Sequence, residues 1–294
     1  MTDWHSLSES ILRDTGIRID PDGVTSVGGG CINTTYRVSG PDGTHFIKLN
    51  VAAKHSMFEA ERAGLTTLAD AKAVRVPKPQ GCGLSDGYSY LLLEWIPMHA
   101  PSAHSDTLLG ERLAQQHMVT SDDFGWFRDN TVGDTPQPNP RTKDWVAFFR
   151  DHRLRFQLGL LADSGIDAEL LEQSERLLEA LREFFPGYEP RPALLHGDLW
   201  GGNRASDSSG EPVTYDPAVY FGDRECDVAM TELFGRFDRG FYAAYENMAA
   251  LDAGYRTRRD LYNLYHILNH ANLFGGSYVG QARQLIARLL TELG

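Results

Sequence analysis

The chain has 294 residues, with 28 Lys and Arg against 40 Asp and Glu, a formal net charge of −12. With 41% hydrophobic and 23% charged residues the composition is that of a globular protein and excludes disorder. The acidic balance argues against nucleic acid as a partner, because such binding relies on Lys and Arg against phosphates. At this length a single core is near its upper limit, so one domain in two lobes, or two domains, is expected.

Residues 5–14 read as a short helix, and Pro21-Asp22-Gly23 as a turn. Val24 to Leu49 reads as strand, glycine-rich loop, strand, turn and strand, with Gly40-Pro41-Asp42-Gly43 as the hairpin signal of an antiparallel meander. Ala52 to Ala71 is helical in period, with Phe58, Leu65 and Leu68 toward one face. Pro77 and Pro79 close that region, and two further strands flank Ser85-Asp86-Gly87. Beyond Pro97 helical spacing dominates, over 108–119, 143–162, 168–184, 227–250 and 258–274. Ser121 to Thr142, rich in Pro, Asn and Asp, reads as a long surface loop. Ala193 to Leu195 and Val213 to Tyr215 read as short isolated strands that form a small hairpin region. The expectation is an α+β, two-lobed fold: residues 1–96 a small antiparallel-β lobe with one helix, and 97–294 a larger, mainly helical lobe, joined at Glu94–Pro97.

Cys31, Cys82 and Cys226 are odd in number, far apart and without a CxxC pair. This excludes a disulfide framework or zinc knuckle and suits a reducing cytoplasm. The opening MTDWHSLSESILRD has no uninterrupted apolar stretch, so no signal peptide is expected. The strongest apolar segment, Tyr90 to Pro97, is far short of a membrane span and carries Glu94.

Gly28-Gly29-Gly30 is no dinucleotide fingerprint, because Thr35 to Val38 continues as strand where a helix would have to open. There is no GK[ST] either. A glycine-rich turn between antiparallel strands can fold over phosphates, since bare backbone N–H groups approach closely; an ordinary hairpin turn is the alternative. Lys48, in FIKLN, is either a solvated edge lysine or an ammonium aimed at the inner face. Of the helix carboxylates that could pair with it, Glu61 fits better than Glu59.

The most informative stretch is HGDLWGGN, His196 to Asn203. Asp198 is followed by Asn203 five residues on and by Asp216 eighteen residues on. Protein kinases use this arrangement: an Asp as base, with an Asn and a second Asp holding Mg²⁺. Phosphoryl transfer needs positioning and charge neutralisation, hence oxygen ligands for a hard cation beside one carboxylate facing the attacking hydroxyl. His266 and His270, at i and i+4 on one helix, have no third ligand nearby and read as structural. Asp223, Arg224, Glu225 and Asp227 read as a capped helix start with internal ion pairs. No G-x-S-x-G is present for a serine nucleophile.

HGD in place of HRD, and DP in place of DFG, resemble the aminoglycoside phosphotransferase and choline kinase branch. Within it, GGGCIN (28–33), HGDLWGGN (196–203), YDPAVYFGDRECDVAM (215–230), DNTVG (129–133) and QPNP (137–140) resemble the fructosamine kinases, also called ketosamine-3-kinases. The resemblance runs from about residue 10 to the end. It departs at Arg141, where a bulky aromatic is expected, and at Arg204, where an aliphatic is usual and which reads as a rim change. It implies that Gly28, Gly29, Gly30, Cys31, Ile32 and Asn33 cover the phosphates of ATP, which Lys48 contacts while paired to Glu61. It further implies that the backbone of Glu94 and Ile96 holds adenine with Leu93 behind it, that Asp198 is the base, and that Asn203 and Asp216 bind Mg²⁺. Trp200 is either a wall for the sugar or a core residue packing the loop.

The implied activity is phosphorylation of the 3-hydroxyl of a ketosamine, small or carried on a glycated protein lysine, and so deglycation. The alternatives are a kinase for choline, an aminoglycoside or a related amino-alcohol, and an inactive pseudokinase used as a binding module. No nucleic-acid or membrane partner is expected. The chain is expected to be a cytoplasmic monomer, or a redox-linked dimer through Cys31, whose thiol among backbone N–H groups is expected to be acidic and oxidisable.

Overall fold

The structure, a computed structural model, describes residues 2–28, 32–165 and 168–293. The chain divides into two compact units. The first comprises Met1–Ser102 together with Ala205–Asp216, and the second Ala103–Arg204 together with Pro217–Gly294.

In the first unit, helix α1 (Trp4–Thr15) starts at Asp3, whose carboxylate accepts from the N–H groups of His5 and Ser6, capping two of the donors that a helix start leaves unpaired. Five antiparallel strands follow: β1 (Val24–Val27), β2 (Thr34–Gly40), β3 (Gly43–Val51), β4 (Pro79–Ser85) and β5 (Tyr88–Glu94). They lie in the order β1-β2-β3-β5-β4. Side chains alternate across a sheet, and here this decides what faces what. Ile47 and Leu49 of β3, with Tyr90 and Leu92 of β5, pack with Leu7 and Ile11 of α1. Lys48 and its register partner Leu91 therefore face the other way, toward helix α2 (His55–Ala71), which buries Met57, Phe58, Leu65 and Leu68. Each such buried side chain contributes about 1.5–3 kcal/mol.

The division differs from the expected boundary at residue 96/97. Residues 205–216 join the first unit because Arg75 grips them: its carbonyl accepts from Thr214 N–H at 3.0 Å, and its guanidinium pairs with both Asp207 and Glu94. His99 and Ser206 also exchange backbone bonds, at 2.8 and 3.0 Å.

The second unit is mainly helical: α3 (Ala103–His117), α4 (Trp145–Phe149), α5 (Arg155–Asp163), α6 (Ala168–Glu179), α7 (Glu225–Leu233), α8 (Arg239–Met248), α9 (Tyr255–Phe274) and α10 (Ser277–Glu292). A π-helical turn, Arg150–Leu154, joins α4 to α5. Helix α9 is buried along most of its length, from Tyr255 to Ala271. Among the described residues no helix is long and apolar enough to cross a membrane.

Four expectations change. The helix expected over 227–250 is two helices, because Gly235 takes a φ of +100° that helices exclude and Asp238 caps a new start by accepting from Gly240 N–H at 2.8 Å. The stretch expected as a surface loop contains a hairpin, Asn130–Val132 against Thr135–Gln137, and buries Trp126, Gln137 and Asn139. The short strands are not isolated: Ala193–Leu195 pairs with Tyr220–Gly222, and Pro212–Thr214 with Arg204–Ser206. Finally, the carboxylates at 223–227 are not an internally paired helix start. Glu225 forms a fully buried pair with Arg258 of α9 at 2.8 Å, and Asp223 accepts from the hydroxyls of Tyr262 and Tyr188 at 2.5 and 2.9 Å.

Candidate active site

In the first unit the Lys48 ammonium lies 2.5 Å from Glu61 Oε1 and 2.5 Å from Asp216 Oδ1. Lys48 is 5% exposed, so the edge-lysine alternative fails. Burial alone would lower its pKa, but the charges of Asp216 and Glu61 outweigh burial and hold it above the ordinary lysine value. Glu59, the other helix carboxylate, lies 3.7 Å from His55 instead. The Asp216 backbone is left-handed, with φ +55°, and its side chain is half exposed; that strained turn aims one carboxylate at the lysine.

Of the glycine-rich turn, Gly29, Gly30 and Cys31 lie outside the described residues. Its far flank is tied down by Asn50, whose Nδ2 donates to Ile32 O and to Asn33 Oδ1 at 3.3 and 2.8 Å. Thr35 Oγ1 donates across the strands to Val27 O at 2.7 Å. Leu93 and Ile96 are buried, while Glu94 donates its N–H to Lys78 O at 2.8 Å and accepts from Arg75 at 2.9 Å.

In the second unit Asn203 Nδ2 donates to Asp198 twice, to its carbonyl at 2.9 Å and to Oδ2 at 3.0 Å. The loop before Asp198 is held from below. Asp227 Oδ2 accepts from His196 N–H at 2.7 Å and Oδ1 from Gly197 N–H at 2.8 Å. Asp227 in turn meets His117 Nε2 at 3.2 Å, and His117 Nδ1 meets Tyr245 Oη at 2.8 Å. Burial would raise the pKa of Asp227, yet the bond and charge from His117 bring it below the ordinary value. Gly197 must be glycine: its φ is +83°, and a Cβ there would collide with the Ala218 carbonyl. This accounts for HGD where an HRD loop has arginine. Sequence reasoning missed His117 and read Asp227 only as part of a capped helix start; the local sign for Asp227 was one acid inside the apolar run CDVAM.

Trp200 is 37% exposed, so it is not a core residue; it meets Phe234 edge-on at 6.0 Å. His266 is buried, and burial lowers its pKa to about 3, so it is neutral; His270 Nδ1 donates to the His266 carbonyl at 2.8 Å. Arg141 is exposed. Arg204 is not on a rim: it pairs with buried Asp106 and lies 3.8 Å over Phe237, while Asp106 Oδ2 accepts from Asp238 N–H at 3.1 Å.

A buried lysine held by two carboxylates, in the first unit, and a carboxylate fixed by an asparagine amide, in the second, are each of the kind that phosphoryl transfer uses. Residues 3–292 match the family model described as fructosamine kinase. A Synechocystis protein named "Probable ketoamine kinase" is 43% identical over 98% of this chain and 97% of its own length. The chloroplastic protein-ribulosamine 3-kinase of Arabidopsis thaliana is 41% identical over 92% of this chain and 83% of that protein. A crystallised protein from Haemophilus somnus 129PT, assigned as a fructosamine-3-kinase, superposes with a TM-score of 0.87 at 30% identity, covering 98% of this chain and 97% of that one. The aminoglycoside phosphotransferase APH(4)-Ia shares the fold alone, with a TM-score of 0.61 at 14% identity over 97% of this chain and 98% of that one.

Proposed function

The chain belongs to the fructosamine kinase family, and we propose that it transfers the γ-phosphoryl group of ATP to the 3-hydroxyl of a ketosamine, the adduct of a sugar with an amine. The observation that carries this reading is the pair of hydrogen bonds from the Asn203 amide to Asp198, which fixes one carboxylate oxygen and orients the other for a hydroxyl proton. The relatives named for ketoamine and ribulosamine phosphorylation support the acceptor class.

Asp198 takes the proton of the 3-hydroxyl as that oxygen bonds to the γ-phosphorus; the bond from γ-phosphorus to the bridging oxygen breaks, and ADP leaves with that electron pair. Lys48 holds the phosphates and Glu61 holds Lys48. The turn from Gly28 to Asn33 covers the phosphates, and adenine lies against the backbone of Glu94 and Ile96 with Leu93 behind it. Trp200, exposed two residues past Asp198, offers a flat face to the sugar. Asp216 and Asn203 would be the residues that hold Mg²⁺, a carboxylate and an amide oxygen being donors of the kind that a hard cation takes. When bound, the ion neutralises charge developing on the phosphates. The 3-phosphoketosamine product is unstable and sheds its sugar, so the outcome is deglycation of a small amine or of a protein lysine.

The test is ADP release with ribuloselysine, fructoselysine, choline and kanamycin. Turnover of either of the first two is expected. Turnover of choline or kanamycin alone overturns the ketosamine assignment, and absence of all turnover favours a binding module.

A further inference from the structure

The hairpin that reads as a surface loop bonds to Ala218 and Val219, and Ala218 in turn to His196. Asn130 and Gln137 are register partners across it, and both are buried, at 9% and 1% exposure. Asn130 Nδ2 donates to Val219 O at 2.8 Å. Gln137 Nε2 donates to Ala218 O at 3.1 Å and to Asn130 Oδ1 at 2.8 Å. The Tyr265 hydroxyl donates to Gln137 Oε1 at 2.8 Å, which fixes the orientation of that amide. Ala218 passes the constraint on: its N–H donates to His196 O at 2.9 Å, and its carbonyl packs against the bare Cα of Gly197. One backbone residue, Ala218, thus separates the Gln137 amide from the residues that precede Asp198, and two, Val219 and Ala218, separate that of Asn130.

The hairpin itself is held by a fully buried cation. Arg153 donates to Pro138 O at 2.7 Å and to Asn139 Oδ1 at 2.6 Å, with its guanidinium 4.1 Å over the Tyr220 ring. These acceptors are neutral oxygens, an arrangement that costs stability, and Arg153 stands in the π-helical turn, a feature frequent at functional sites.

We propose that Asn130 and Gln137, braced by Tyr265 and Arg153, are positioning residues for phosphoryl transfer. They fix Ala218 and Val219, and through Ala218 the backbone that carries Asp198. The link to catalysis rests on Asp198 acting as the base. A displacement of about 1 Å at a reacting group can lower a rate about 100-fold, so the hairpin acts on kcat and leaves nucleotide affinity alone.

The test compares the full-length wild type with Gln137→Met, which keeps the volume and removes all three hydrogen bonds of the side-chain amide, and with Asn130→Ser, a smaller change should the first fail to fold. Hydrogen exchange is followed by peptide alongside kcat and the KM for ATP, both with ketosamine and for ATP hydrolysis without acceptor. The expected result is exchange at least about 10-fold faster in 195–203 and 217–222 and unchanged in the first unit, with kcat down about 10- to 100-fold and the ATP KM within about 2-fold. Unchanged protection of those two segments overturns the proposal, as does a uniform rise across the chain, which marks a merely structural role. Absence of ketosamine turnover in the wild type counts against the proposed function, while the exchange pattern and ATP hydrolysis still decide the positioning role.

Discussion

Lys48 and Asp216, 168 residues apart in sequence, form an ion pair of 2.5 Å inside one compact unit. The same ammonium also holds Glu61, whose side chain is 11% exposed against 50% for Asp216, and removing a shared cation strands the less exposed partner most. Lys48→Met is expected to lower stability by about 3–5 kcal/mol, the cost of an uncompensated buried charge, and to cut kcat more than it raises the ATP KM. Urea unfolding and steady-state kinetics check this. Adding Glu61→Leu should restore much of the stability and none of the activity.

Asp216→Asn removes an anionic ligand from a hard cation. The Mg²⁺ titration of activity should shift to higher concentration by about 10-fold or more, and a chelator should abolish turnover of the wild type. An unchanged titration removes Asp216 from the ligand set.

Asp198→Ala should abolish turnover, by at least about 10²–10⁴ for the general base alone, while Mg·ATP still binds by calorimetry. Near-normal turnover would take Asp198 out of the mechanism.

Asp227→Asn keeps the size of the side chain that holds the His196 and Gly197 amides and removes its charge. A loss of about 3–5 kcal/mol is expected at neutral pH. The sign with pH follows from a folded pKa below the ordinary value: the stabilisation is present above the unfolded value of about 3.9 and is lost as pH falls through the lower folded one. The gap between wild type and variant should be constant from about pH 5 to 8 and narrow below about pH 4, as read by denaturant melts across that range.

Trp200→Ala removes an exposed ring, so stability should move by no more than about 0.5 kcal/mol while the KM for the ketosamine rises several-fold and that for ATP stays. Equal changes in both KM values would count against a sugar wall.

What could be read in the sequence was whatever lies within one turn or one hairpin of itself. HGDLWGGN carries both ends of the Asn203–Asp198 bond, and the alternation of FIKLN places Lys48 opposite Ile47 and Leu49. Asp227 could not be read, because its partners are backbone amides about thirty residues upstream and backbone amides have no residue type to recognise. The hairpin at 130–137 was hidden for another reason. Asn, Pro and Gln mark loops by their local preference, and only tertiary hydrogen bonds reveal that here they are interior. Arg204 likewise has the composition of a surface residue and is paired inside.

The excursion of residues 205–216 has a consequence during synthesis. The amino-terminal stretch emerges first yet lacks one partner for Arg75, at Asp207, and one for Lys48, at Asp216. At about 5–20 residues per second, the 168 residues from Lys48 to Asp216 take roughly 10–30 s to follow. For that interval the nascent sheet carries an arginine and a buried lysine that each await the second of two carboxylates. A fragment cut at residue 102 would keep that unfinished state permanently, so the first unit has no contiguous stretch of chain from which it could be expressed, borrowed or inherited whole.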